Sequence, residues 1–119
     1  AFFNATVPWN FSADFIANNT AILEQAKERY KLLDFEAVIR LCDAFFEVDF
    51  SEHLDQIEAP TCIIVGEIDH LKGMPYATIL KERIPHAEMH ILQGASHATC
   101  WEKPEEFNST ILGFLAKQT

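Results

Sequence analysis

The hydrophobic pattern changes period at Pro60, and that change limits the folds open to this chain. Before it, apolar residues recur at helical spacing. Ser12 is placed to cap a short helix with Asp14 in its first turn. Thr20 is placed to cap a second, with Ile22, Leu23, Ala26 and Tyr30 on one side. Asp34 is placed to cap a third, whose Phe35, Val38, Ile39, Cys42, Phe45 and Phe46 form a broad apolar stripe. Such a stripe suits a core, and so much Phe on short helices also suits a lid over an apolar pocket. Ser51 begins a short turn through Ile57, and Pro60 closes the helical part.

After Pro60 the chain reads strand, loop, helix, strand, loop, helix. Thr61-Cys62-Ile63-Ile64-Val65 is a continuous β-type run ending at Gly66, the pattern of a strand buried on both faces. Pro75 then opens a helix carried by Tyr76, Ile79, Leu80 and Ile84. From Ala87 to about Leu92 the residues alternate, with His86, Glu88 and His90 on one face and Ala87, Met89 and Ile91 on the other. A loop over 93–103 leads to Pro104 and a last helix with Phe107, Ile111, Phe114 and Leu115 facing inward. Strands separated by helices predict a parallel pair with a right-handed crossover, an α/β arrangement. Both loops then lie at the carboxyl edge of the sheet, where such folds place ligands. Asp69 sits in the first loop and His97 in the second, within reach of each other despite their separation in sequence.

Composition removes several function classes. Eighteen acidic against nine basic residues give a net charge of −9, which repels phosphate backbones, so no nucleic-acid partner is expected. Apolar runs are as short as Cys62–Val65, far below the roughly 20 residues of a membrane span, so no membrane partner is expected. No basic-then-apolar leader is visible, which suggests a cytoplasmic protein. Four Asn-x-Ser/Thr triplets, at Asn4, Asn10, Asn18 and Asn108, leave a secreted protein as the alternative. Cys42, Cys62 and Cys100 are widely spaced and read as buried small residues, neither a disulfide framework nor a zinc site. His86 and His90 have metal-pair spacing only on a helix, and here they fall on a strand, so no metal is expected. The four glycines, Gly66, Gly73, Gly94 and Gly113, include no two that are four apart. G-x-S-x-G, G-x-G-x-x-G and the Walker loop are all excluded, so no cofactor is implied.

Two segments together resemble the α/β-hydrolase superfamily. Ala59-Pro60-Thr61-Cys62-Ile63-Ile64-Val65-Gly66-Glu67-Ile68-Asp69 looks like its penultimate strand and acid loop. Gly94-Ala95-Ser96-His97, followed by Glu102, Pro104 and Phe107, looks like its histidine loop and final helix. The resemblance covers about residues 51–119, and residues 1–50 resemble the end of a lid inserted before that strand. It implies the C-terminal βαβα portion of an α/β-hydrolase fold with Asp69 as triad acid and His97 as general base. Glu67 is a possible alternative acid, Glu102 is expected to brace the histidine loop, and His70 to be exposed or to line a pocket. The chemistry is intelligible without the family. A neutral imidazole can take a proton from a hydroxyl at pH 7, and a carboxylate on its other nitrogen fixes the tautomer.

The departure from the family is the nucleophile, for which no elbow exists in this sequence. Ser12 and Ser51 read as caps, Ser96 points away from its neighbour His97, and Ser109 lies in a helix. Acid and base alone should give little acyl transfer. Two strands cannot close a sheet either. The expectations are therefore a C-terminal fragment of a serine-type hydrolase of carboxylic esters, lactones or related acyl bonds, with a small, apolar, ester-like substrate. The incomplete sheet would be completed by a missing N-terminal hydrolase half or by self-association into a homo-oligomer. The alternative is a non-catalytic small-ligand-binding or self-assembling module derived from the same fold.

Overall fold

The computed structural model describes residues 2–118. Four helices come first: α1 (Phe2–Asn10), α2 (Ala13–Asn18), α3 (Thr20–Tyr30) and α4 (Phe35–Glu47). Ser12 Oγ accepts from the Phe15 N–H at 3.2 Å and Asp34 Oδ1 from the Ala37 N–H at 3.1 Å, so both predicted caps form. Thr20 does not cap. It is already the first residue of α3, and Asn19 precedes it with its side-chain amide turned back to the Phe15 carbonyl at 3.0 Å. Aromatic contacts fasten α1 to the later helices, with the Phe3 and Tyr30 rings 4.9 Å apart and Phe2 edge-on to Phe35 at 5.8 Å.

A 3-10 turn over Ser51–Gln56 leads into β1 (Cys62–Gly66). Helix α5 (Met74–Arg83) connects β1 to β2 (Glu88–Leu92), which lies parallel to it from Cys62↔Glu88 to Gly66↔Leu92. A single turn, α6 (Thr99–Glu102), and the terminal α7 (Pro104–Ala116) complete the order. Pro75 and Pro104 stand at helix starts, where a missing N–H costs nothing. The core is small. Ile63 and Val65 of β1 pack with Ala77, Ile84 and Ala87, and Leu54, Ile57, Met74, Leu80 and Met89 flank them. Helix α7 lies against both strands, and Lys117 Nζ meets Glu88 Oε2 at 2.7 Å.

Four further sequence expectations need correction. Strand β1 is not buried on both faces, because Cys62 and Ile64 are only half-covered whereas Ile63, Val65 and the terminal Gly66 are buried. The cysteines are not buried either: Cys42 and Cys100 are exposed and Cys62 is intermediate, since each lies on a face that no described element covers fully. Leu115 is exposed, one position beyond the face that α7 turns to the sheet. The α4 stripe is not core among the described residues. Ile39, Phe45 and Phe46 are 60%, 71% and 89% exposed, and no residue of α4 is buried. The sheet has two strands among the described residues, so one edge of β1 carries no partner.

Candidate functional site

The site stands where both strands end. Strand β1 stops at Gly66, and the chain turns through residues 67–73 before α5. The Asp69 N–H donates to the Gly66 carbonyl at 3.2 Å, which begins the turn. Asp69 Oδ1 accepts from the backbone N–H groups of Leu71 (2.7 Å) and Lys72 (3.0 Å). One carboxylate oxygen thus builds its own loop, the ordinary turn habit of Asp. The other, Oδ2, lies 2.9 Å from His97 Nδ1. The Asp69 side chain is only 5% exposed and that of His97 38%. Gly73 is needed here because a Cβ would stand 2.0 Å from the Asp69 carbonyl oxygen.

Strand β2 stops at Leu92 and the second loop is pinned to the first. The Ile68 N–H donates to the Ala95 carbonyl at 3.0 Å, and the Glu67 N–H to the Leu92 carbonyl at 3.0 Å. The Glu67 carboxylate accepts from the Gly94 N–H at 2.8 Å. Glu67 therefore braces the loops, and the carboxylate that faces the imidazole is that of Asp69. Glu102 accepts from the Ser96 N–H at 3.0 Å, and its two oxygens accept from the Ser12 N–H at 3.3 and 3.2 Å. It braces the histidine loop and also ties it to the start of α2. The Ala98 N–H donates to the Asn10 carbonyl at 2.8 Å, a second tie to the helical segment. His70 is exposed.

Two residues that position this site carry little sequence signal. Gly66 lets β1 approach the second loop so closely that a Cβ would lie 2.1 Å from the Ser96 carbonyl oxygen and 2.4 Å from that of Ala95. A glycine ending a strand is the only hint. The Ser12–Glu102 contact spans 90 residues and has no local signature at all.

Burial by itself would push the Asp69 carboxyl upward. The His97 hydrogen bond and the Lys72 and Leu71 N–H groups outweigh it and hold the group below its ordinary value. An ionised Asp69 facing Nδ1 fixes the neutral imidazole with its proton on Nδ1. The Nε2 lone pair is then the basic position. Among the described residues no serine hydrogen-bonds His97: Ser12 Oγ caps α2, Ser109 Oγ bonds the Glu106 carbonyl at 3.0 Å, and Ser96 is buried. No group of three or more His, Cys, Asp or Glu side chains among the described residues could hold a metal. His86 and His90 are not a ligand pair, since His86 precedes β2 with φ of 59° and His90 Nε2 lies 3.5 Å from Glu88 Oε2. No described helix is long and apolar enough to cross a membrane.

No family model matches the chain. It is 36% identical over 67 residues to the 2-hydroxy-6-oxononadienedioate/2-hydroxy-6-oxononatrienedioate hydrolase 2 of Pseudomonas putida, a match covering 56% of this chain and 23% of that protein. Its fold superposes on the enol-lactonase of Burkholderia xenovorans LB400 with a TM-score of 0.91 at 24% identity, covering 97% of this chain and 44% of the other. It superposes on MGS-M2, an alpha/beta hydrolase enzyme from a Medee basin deep-sea metagenome library, with a TM-score of 0.86 at 28% identity, covering 97% and 44%. The chain spans less than half the length of these proteins, and it matches their C-terminal part. The arrangement described above is that part of the α/β-hydrolase fold.

Proposed function

We propose that this chain, with the C-terminal part of the α/β-hydrolase fold, supplies the acid and base of a serine-type hydrolase. The observation that carries the reading is the 2.9 Å contact between His97 Nδ1 and the nearly buried Asp69. His97 Nε2 would take the proton of a serine hydroxyl and later deliver it to the leaving group. Asp69 would hold the tautomer and stabilise the imidazolium. The bond cleaved would be a carboxylic ester, a lactone or a related acyl bond, in keeping with the hydrolase and lactonase names of the similar proteins. Glu102 and Glu67 are positioning residues that keep the two loops together.

The nucleophile and oxyanion donors would come from a hydrolase half outside these residues. Support comes from two surfaces that the described residues leave uncovered, the second edge of β1 and the apolar side of α4. In such an enzyme α1 to α4 would serve as lid. The same uncovered surfaces favour a second reading, a self-assembling module without chemistry of its own. Ester turnover by a longer chain that contains a G-x-S-x-G elbow tests the first reading. Loss of turnover in its His97→Ala variant supports it, and retained turnover overturns it. Light scattering of the 119-residue chain tests the second, which a monomer at all concentrations would refute.

A further inference from the structure

An apolar cavity of about 230 Å3 lies between α1, α3 and α6, immediately beside the histidine loop. Its wall includes Phe3, Val7, Leu23, Ala26, Tyr30 and Trp101, and Ala98, the residue after His97, closes one side. Two polar side chains of the wall are already committed: Thr6 Oγ1 donates to the Phe3 carbonyl at 3.0 Å and the Asn10 amide to the Thr6 carbonyl at 2.8 Å. A second cavity of about 210 Å3 shares Ile22, Ala26, Tyr30 and Trp101 with the first and adds Gln25 and Arg29. The two share four lining residues and together make an apolar trough that Arg29 borders.

Arg29 differs from the cations beside it. Lys27 pairs with Glu24 at 3.1 Å and Lys31 with Glu28 at 2.6 Å. The residues three and four places from Arg29 are Gln25 and Ala26 within α3 and Leu32 and Leu33 just beyond it, none of them acidic. No carboxylate among the described residues pairs with Arg29, although the chain has eighteen. An arginine without an acidic partner beside an apolar trough suits a carboxylate more than any neutral group. An apolar cavity of about 150 Å3 already takes up benzene, so this one has room for a ring or a comparable chain.

We infer that the trough between α1, α3 and Trp101 binds a small carboxylate with an apolar body, its ring or chain against Tyr30 and Trp101 and its anion on Arg29. Identifying that molecule with the acyl part of a substrate rests on the hydrolase reading above. The binding itself does not, and it is measurable in the 119-residue chain without turnover. Failure of a longer chain to cleave esters would leave the binding result standing.

The test uses 3-phenylpropanoate and its neutral analogue 3-phenylpropanamide, with Trp101 fluorescence as readout. Trp9→Phe removes the other tryptophan, which lines neither cavity. At low ionic strength the acid should bind saturably and about five-fold more tightly than the amide, a preference that added salt reduces. Arg29→Gln, an exposed substitution, should bring the ratio close to one while leaving amide binding unchanged. Ala26→Leu, which fills the shared wall, should weaken both probes. Absence of saturable binding, equal binding of the two probes, or a preference that survives Arg29→Gln would each overturn the assignment. Should Ala26→Leu not fold, the Arg29→Gln comparison decides alone.

Discussion

Replacing Gly66 by alanine tests how the two loops that carry Asp69 and His97 are held together. An added Cβ would lie 2.1 Å from the Ser96 carbonyl oxygen and 2.4 Å from that of Ala95. Both obstacles are backbone, so no side chain can swing aside. Opening the closer contact to 3.0 Å requires a shift of at least 0.9 Å. That shift would stretch the Ile68–Ala95 bond, now 3.0 Å, beyond hydrogen-bond range, and would draw His97 away from Asp69, now at 2.9 Å. Overpacking costs about 1–3 kcal/mol and a lost backbone bond about 1 kcal/mol, so the expected loss is roughly 2–4 kcal/mol. In urea, with a slope near 1–1.5 kcal/mol/M for a small core, the midpoint should fall by about 1.3–4 M. The His97 Nδ1 proton, sheltered by Asp69, should exchange faster in the same variant. Gly113→Ala is the control, because a Cβ there meets nothing within 4 Å and the residue sits inside α7. Alanine should stabilise that helix by about 0.5–1 kcal/mol. If Gly66→Ala unfolds at the midpoint of the native chain with its His97 proton unchanged, the close approach does not hold the loops together.

Glu102→Ala removes the acceptor of the Ser96 and Ser12 N–H groups and should cost about 1–3 kcal/mol, with hydrogen exchange accelerated at both amides. Glu102→Gln keeps one acceptor oxygen and should recover part of that loss. Asp69 contributes stability above the ordinary carboxylate range, and the contribution disappears as pH falls through its lowered folded value. The urea midpoint of Asp69→Asn should therefore be less pH-dependent than that of the native chain below about pH 4. Glu88 is lowered too, by its bond to Lys117, so the difference between the two profiles is the quantity to read. Phe45→Glu and Phe46→Lys on the exposed side of α4 should reduce concentration-dependent scattering without lowering the urea midpoint, since neither side chain is packed within the chain.

What the sequence made legible follows from how far each signal reaches. Strand and helix order after Pro60 rests on period and on proline, both local, and each predicted strand and helix is present, while the expected loop over 93–103 also holds the unpredicted turn α6. Asp69 and His97 were legible because a parallel β-α-β unit brings both carboxyl-end loops to one edge, whatever else surrounds them. Glu102 as a brace was legible from its place after His97, but its reach to Ser12 was not, because nothing near either residue encodes a contact 90 positions away. The misread features share another cause. Cys42, Phe45, Phe46 and the second face of β1 were assigned burial from their chemistry, and chemistry says only that a residue benefits from cover.

That last distinction bears on what the chain is built to do. A 13-residue helix such as α4 is marginal in water without a packed face, and here none of its residues is buried, although Phe35 packs edge-on to Phe2. The Asp69–His97 pair, in contrast, is complete within residues 66–97, and its loops are fixed by backbone and carboxylate bonds that need no outside partner. Cover over α4 should therefore raise the stability of the helical segment while leaving the geometry of the pair unchanged. A partner that instead moved His97 relative to Asp69 would have to break those loop bonds first. The geometry of the Asp69–His97 pair is pre-set, and in the proposed hydrolase another surface would supply the enclosure and the group whose proton His97 would take.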